Sequence, residues 1–312
     1  MPTSNDQVLL QTLLEQTRKE VAPELAASEY FQLYVLEQLL KDRGLSYSEL
    51  QSGIVDGGGD GGIDALYTLV NGVLVTSTDD AIAAVPGSII ELIIVQCKYT
   101  GGFSETAIDR LVASISDLLD LSTPLNSLGE VYNSDLLNAV EAFRNAFIGT
   151  ASKFPSLRVQ FFYATRGIAV DPKVERKARR LKELVSSLFS AAECDFIFLT
   201  AADILALARR QQPATLELKL AENPISTKGA GFVGLVKLED YFDFLTDSQG
   251  HLLRVLFESN VRDYEGSRGI NQAIQETLVA AHDESDDDFW WLNNGITVVA
   301  SRATLVSKRL TN

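Results

Sequence analysis

The stretch Val55-DGGGDGGIDALY-Thr68 places five glycines within residues 57–62. Such a run continues neither a helix nor a strand, because glycine gives up more backbone freedom on folding than any other residue. It therefore reads as a tight turn that delivers Asp64 onto the start of an apolar strand. A second stretch, Glu91-LIIVQCKY-Thr100, reads as a buried strand carrying Gln96 and Lys98 two residues apart. Side chains alternate along a strand, so Gln96 and Lys98 share a face and Cys97 takes the other. If the two strands pair as a hairpin, Asp64, Gln96 and Lys98 converge as one carboxylate, one amide oxygen and one ammonium. Mg²⁺ or Mn²⁺ takes one or two protein oxygens and keeps positions for water and phosphate. An adjacent ammonium orients water or offsets charge growing on phosphorus. Phosphodiester hydrolysis is the chemistry this set fits.

Other readings of the glycine turn fare less well. A calcium-binding nonapeptide array needs tandem copies, and one is present. An EF-hand needs closer-spaced ligands and a distal glutamate. A P-loop needs Gly-Lys-Ser or Gly-Lys-Thr after the glycines. A merely structural turn stays open, with Asp60 as its turn residue, and so does a plain salt bridge between Lys98 and Asp64. Glu91, five residues before Gln96, falls on the opposite face and is not expected to be a ligand.

The residues Asp60-Gly61-Gly62-Ile63-Asp64 and Gln96-Cys97-Lys98 resemble the PD-(D/E)xK nuclease superfamily, most closely its Mrr-like branch. The resemblance implies that Asp64 binds the metal, that Gln96 stands where the second acid usually is, and that Lys98 is the catalytic lysine. It also implies an acid from an early helix. Glu29 and Glu37 are available there, with Gln32 nearby, and Glu29 is the chosen third metal ligand. The implied cofactor is Mg²⁺ or Mn²⁺ and the implied partner is nucleic acid, DNA foremost.

Along the chain, helical spacing covers residues 7–21 and 27–43, with Gly44 as a stop. Strands are expected over 45–55, 63–75 (bent at Asn71-Gly72) and 89–99, with a loop at 76–87. A helix opens at Ser104, another spans 134–147, and a strand covers 157–166. Asp171-Pro172 starts a helix carrying six basic residues between Lys173 and Lys182, either a solvated face or a phosphate-tracking ridge. A short strand (196–200), a helix (202–210) and an extended segment (213–220) follow. The expected fold is α/β (α+β): a restriction-endonuclease-like αβββαβ core with a mixed central sheet, over residues 1–220, then a partial second domain over 221–312.

Within residues 230–300, three stretches resemble the AIPR family, named for abortive infection and phage resistance. They are Glu258-SNVRDY-Glu265, Gly269-INQAIQETL-Val279 and Phe289-WWLNNGIT-Val298. The family's characteristic region continues past the NNGI motif, so a chain stopping at Asn312 implies a truncated form or a lost C-terminal part. Trp290 and Trp291 read as core, and residues 283–288 as a solvated acidic loop. Neither His251 nor His282 reads as catalytic.

Bulk properties fit these expectations. The 312 residues carry 46% hydrophobic and 22% charged side chains, as soluble globular chains do. No apolar run is long enough for a membrane span, and the N-terminus does not read as a signal peptide. Cys97 and Cys194 give neither zinc spacing nor a disulfide framework, and read as buried thiols in a cytoplasmic protein. The net charge of −15 argues against a general nucleic-acid coat. Even residues 1–220 hold 19 basic against 28 acidic groups, so a nuclease must depend on charge placement. The function expected is a metal-dependent endonuclease in phage defence. The alternative is an inactive nuclease-fold module that binds nucleic acid or a protein partner. Self-association, no membrane partner and a choice among nucleic acids complete the expectations.

Overall fold

The structure is a computed structural model, and it describes residues 4–43, 45, 47–76, 85–210, 217–227, 231–246, 256, 296, 298, 304–306 and 308–311. Outside these residues lie much of the 76–87 loop, both histidines, both tryptophans, residues 283–288 and nearly all of the AIPR-like stretches. The chain divides into two units, residues 1–212 and 213–312. The division precedes the expected 220/221 boundary because Glu217–Lys219 already pairs within the second unit.

The first unit opens with helices α1 (Asn5–Val21), α2 (Ala27–Leu40) and α3 (Tyr47–Ser52). Strands β1 (Ala65–Val70), β2 (Val73–Val75) and β3 (Ile89–Lys98) follow, then α4 (Glu105–Leu118), α5 (Ser134–Gly149), β4 (Ser156–Thr165), α6 (Pro172–Leu188), β5 (Glu193–Leu199) and α7 (Ala201–Arg209). Two strand assignments change. Residues 45–55 hold helix α3 rather than a strand, and only Ile54 bridges to Ala65. The expected strand 63–75 is a hairpin, since Asn71 and Gly72 both have positive φ (52° and 85°), the two-residue turn that matches strand twist. Three strands still separate α3 from α4, with a different membership.

The sheet runs β2-β1-β3-β4-β5. The β2–β1 and β1–β3 pairs are antiparallel, and the β3–β4 and β4–β5 pairs are parallel. As the central strand, β3 is apolar on both faces. Ile90, Leu92 and Ile94 pack with α4, α5 and α6, while Ile93, Val95 and Cys97 pack with α1, α2 and α7. Glu91, on the second face, is held by Arg43 through two hydrogen bonds of 2.8 and 3.0 Å, in keeping with its exclusion as a ligand.

Helix α6 starts as its sequence suggests, with the Asp171 side chain accepting from Lys173 N–H and proline in the first turn. Its apolar stripe of Val174, Ala178, Leu181 and Val185 is buried. Cys97 is buried and Cys194 half-buried, and burial pushes both thiols up, Cys194 to about 11.

The second unit contains the sheet β6-β10-β9 (Glu217–Lys219, Arg309–Thr311, Thr304–Val306), the pair β7–β8 (Ile225–Ser226, Phe232–Val233) and helix α8 (Leu238–Leu245). Lys219 reaches the buried Asp240 of α8 at 2.6 Å. Among the described residues, no helix is long and apolar enough to cross a membrane.

One buried cation fastens the end of α4. The Arg144 guanidinium donates to the carbonyls of Leu118, Asp120 and Thr123 at 2.6–3.0 Å. The Leu118 carbonyl is one that the helix end leaves without an intrahelical partner, and those of Asp120 and Thr123 belong to the loop that follows. We expect Arg144→Met to lower stability in urea denaturation by about 2–3 kcal/mol, since hydrogen bonds from a charged donor are lost and carbonyls are left unpaired.

Candidate metal and phosphate site

Register brings the expected residues together. Ala65 pairs with Val95 in the antiparallel β1–β3 ladder, so Asp64 stands opposite Gln96 one step further along. Asp64 N–H donates to Val95 O at 2.9 Å, which extends the pairing to the turn. The Asp64 carboxylate accepts from Cys97 N–H at 2.5 Å, and Lys98 Nζ lies 3.4 Å from its other oxygen. Asp64 is 2% exposed and Gln96 1%, whereas the Lys98 side chain is 41% exposed. The ammonium therefore reaches solvent while the carboxylate does not.

Gln96 Oε1 is buried and has no hydrogen-bond partner among the described residues. An unsatisfied buried amide oxygen costs free energy, so it is an atom with unused capacity to accept a proton donor or a cation. Its Nε2 stands beside the glycine turn, where a Cβ added at Gly62 would come within 3.2 Å of it.

The turn owes its shape to its glycines. Gly61 (φ 61°) and Gly62 (φ 85°) lie in the left-handed region. A Cβ at Gly61 would approach Ser114 Oγ to 2.4 Å, and Ser114 Oγ itself donates to Gly61 O at 2.7 Å. Gly59 O accepts from Asn133 N–H, and Asn133 Nδ2 donates to Val55 O, which ties the turn to the start of α5. Asp60 closes the turn by accepting from Gly62 N–H at 2.7 Å, as its reading as a turn residue expects.

The curl has a consequence that the sequence reading missed. Asp56, Asp60 and Asp64 place one carboxylate oxygen each within 4.8 Å of one another. Asp56 is exposed, Asp60 half-buried and Asp64 buried. Their spacing of four around the glycines was the available signal, since a loop free of Cβ atoms curls tightly enough to bring such residues together.

Glu29 does not join this group. It is exposed, and its carboxylate accepts from Ala26 N–H at 2.9 Å, capping the start of α2. Glu29 sits in the first turn, where free N–H groups attract a carboxylate. One turn on, the buried Gln32 reaches the site instead, donating from Nε2 to Asp64 O at 3.2 Å. The early helix thus supplies an amide that braces the backbone rather than an acid. A cavity of about 330 Å³, lined by Gln51, Thr68, Asp135 and Asn138 among others, contains none of these residues.

Burial is the largest influence on Asp64 and pushes its carboxyl up to about 6. Lys98 and the Cys97 N–H pull it down, and Asp56 and Asp60 push it up further. The fold therefore favours the neutral form. That contribution is intact below the ordinary value near 3.8 and is lost as pH rises through about 6. The penalty at neutral pH is about 3 kcal/mol. We expect Asp64→Asn to unfold at higher temperature than the parent at pH 8 in the presence of chelator. The gap should shrink towards zero near pH 4, as thermal melts across pH will show. Parallel curves would contradict the assignment.

Among known proteins, a family model described as AIPR protein matches residues 257–312. No curated protein and no solved structure matches the chain.

Proposed function

We propose that residues 1–212 form a Mrr-like PD-(D/E)xK nuclease, dependent on Mg²⁺ or Mn²⁺, that cuts phosphodiester bonds of nucleic acid, DNA foremost. The single observation that carries this reading is the set on one face of the β1–β3 pair. It comprises a buried acid, a buried amide oxygen without a partner among the described residues, and a solvent-reaching ammonium. The order of helix, three strands, two helices and strand, with antiparallel β1–β3 beside parallel β3–β4, supports a restriction-endonuclease-like core.

The donors suit a hard divalent cation, being oxygens throughout. Asp64 and Gln96 Oε1 would hold it, with Asp56 and Asp60 at hand from the loop. When bound, such an ion polarises a phosphate oxygen and offsets its charge. Lys98 holds the attacking water and counters charge at phosphorus, and its half-exposed amine suits that task. Cys97 N–H fixes the Asp64 carboxylate through the backbone. Glycine at 61 and 62 lets Ser114, Tyr132 and Arg110 pack directly against the turn that positions Asp64.

The match at residues 257–312 supports membership of the AIPR family and a role in abortive infection against phage. A cytoplasmic location accords with that role. The neutral Gln96 favours one alternative, a nuclease-fold module that binds nucleic acid or a protein partner without cutting. Such a module would bind without metal dependence.

We expect Asp64→Ala or Lys98→Ala to reduce cleavage of plasmid and oligonucleotide substrates by at least ~100-fold with Mg²⁺ or Mn²⁺. Both variants should keep a cooperative thermal transition. Electron paramagnetic resonance titration should show Mn²⁺ binding lost in Asp64→Ala. Nicking by Asp64→Ala at the parental rate would refute the site.

A further inference from the structure

Helix α4 runs along the glycine turn, and one of its edges carries Arg110, Ser114 and Asp117, spaced four and three residues apart. Ser114 bonds Gly61 O, and Asp117 accepts from Tyr132 OH at 2.8 Å. Tyr132 in turn lies where a Gly61 Cβ would fall. Arg110 continues this edge one turn towards the start of the helix. A Cβ at Gly62 would come within 3.3 Å of Arg110 Cβ and 3.2 Å of Gln96 Nε2. The arginine stem therefore covers the same glycine that borders Gln96.

The charge on Arg110 is unspent. The residue is exposed and forms no ion pair among the described residues, although the chain is strongly acidic. The two acids nearest it on α4 are already taken, since Lys177 of α6 bridges Glu105 at 3.4 Å and Asp109 at 2.5 Å. Arg110 also stands apart from the catalytic set. Among the described residues it makes no hydrogen bond or ion pair with Asp64, Gln96 or Lys98. A free guanidinium is thus mounted on a rigid helix at the rim of a site proposed to receive a phosphodiester.

We infer that Arg110 grips a backbone phosphate of the bound polynucleotide, one that flanks the phosphate cut at Asp64, Gln96 and Lys98. The inference rests on the nuclease reading. Guanidinium is always charged and offers paired donors matched to two phosphate oxygens. It recognises backbone rather than base, so it fixes the register of the strand without choosing sequence. Covering Gly62, it also confines the strand to the side on which Gln96 and Lys98 lie.

The test measures binding and cleavage separately. Fluorescence anisotropy of labelled duplex and single-stranded DNA, in chelator and across a salt series, compares the parent with Arg110→Ala, Arg110→Lys and Lys153→Ala. Lys153 is an exposed control preceding Ser156, at the opposite end of β4 from Thr165. We expect Arg110→Ala to bind roughly tenfold more weakly on every sequence, with a salt slope smaller by about 0.9 on duplex. Arg110→Lys should recover part of the affinity and most of the slope, and Lys153→Ala should match the parent. In cleavage, Arg110→Ala should raise KM and leave kcat within about twofold, with Mn²⁺ binding unchanged. Parental affinity and slope in Arg110→Ala overturn the inference, and so does a parent that binds no polynucleotide. The two readings separate cleanly. Weakened binding in Arg110→Ala with no cleavage by the parent under any metal sinks the nuclease and keeps the phosphate grip. Loss of cleavage in Asp64→Ala alongside an unaltered Arg110→Ala does the reverse.

Discussion

The structure of the site depends on one short contact, the hydrogen bond from Cys97 N–H to the buried carboxylate of Asp64. It joins the end of the glycine turn to the last residues of the central strand, and it sets Asp64 against Gln96 and Lys98. Around it the environment pulls in opposite directions. Burial and two neighbouring aspartates favour a neutral acid, while the ammonium and the amide N–H favour a charged one. Burial outweighs the rest and raises the carboxyl to about 6, so at neutral pH the site holds a charged acid at a cost that a compensating cation would relieve. On the proposed function, a divalent cation supplies that compensation.

Holding such an acid in place requires a rigid surround, and each piece of the turn is fastened to a different element. Ser114 of α4 grips Gly61, Asn133 grips Val55 and Gly59, and Gln32 of α2 grips the Asp64 carbonyl. Helices from both faces of the sheet therefore converge on one loop. The tight fit at Gly61 is the steric counterpart, since a single added carbon there collides with both Ser114 and Tyr132. Arg144 secures the C-terminal end of α4 and the loop after it by collecting the carbonyls of Leu118, Asp120 and Thr123, a turn beyond the Ser114 contact.

The central features were legible from local pattern. Alternation along Glu91–Lys98 gave the shared face of Gln96 and Lys98, and the glycine run gave the turn that positions Asp64. Asp171-Pro172 marked the start of α6 for a local reason, the capping of free N–H groups. What escaped depended on tertiary context. Residues 45–55 alternate loosely enough to suggest a strand, but Leu50 is drawn into the core beneath the sheet as part of a helical turn. Glu29 met the compositional need for an acid, yet local capping claimed it, and only the helix packing shows that Gln32 faces the site. The meeting of Asp56, Asp60 and Asp64 was implicit in their spacing, but the degree of curl is set by α4 and Asn133, which are remote in sequence.

The donor that restrains Asp64 belongs to the main chain at position 97, not to the cysteine side chain. The thiol points into the apolar layer formed with α1, α2 and α7 and takes no part in holding the acid. Position 97 therefore serves the site through its main chain. Small apolar replacements such as alanine keep that donor and alter only the packing behind it. Proline alone is barred, because it would delete the donor itself.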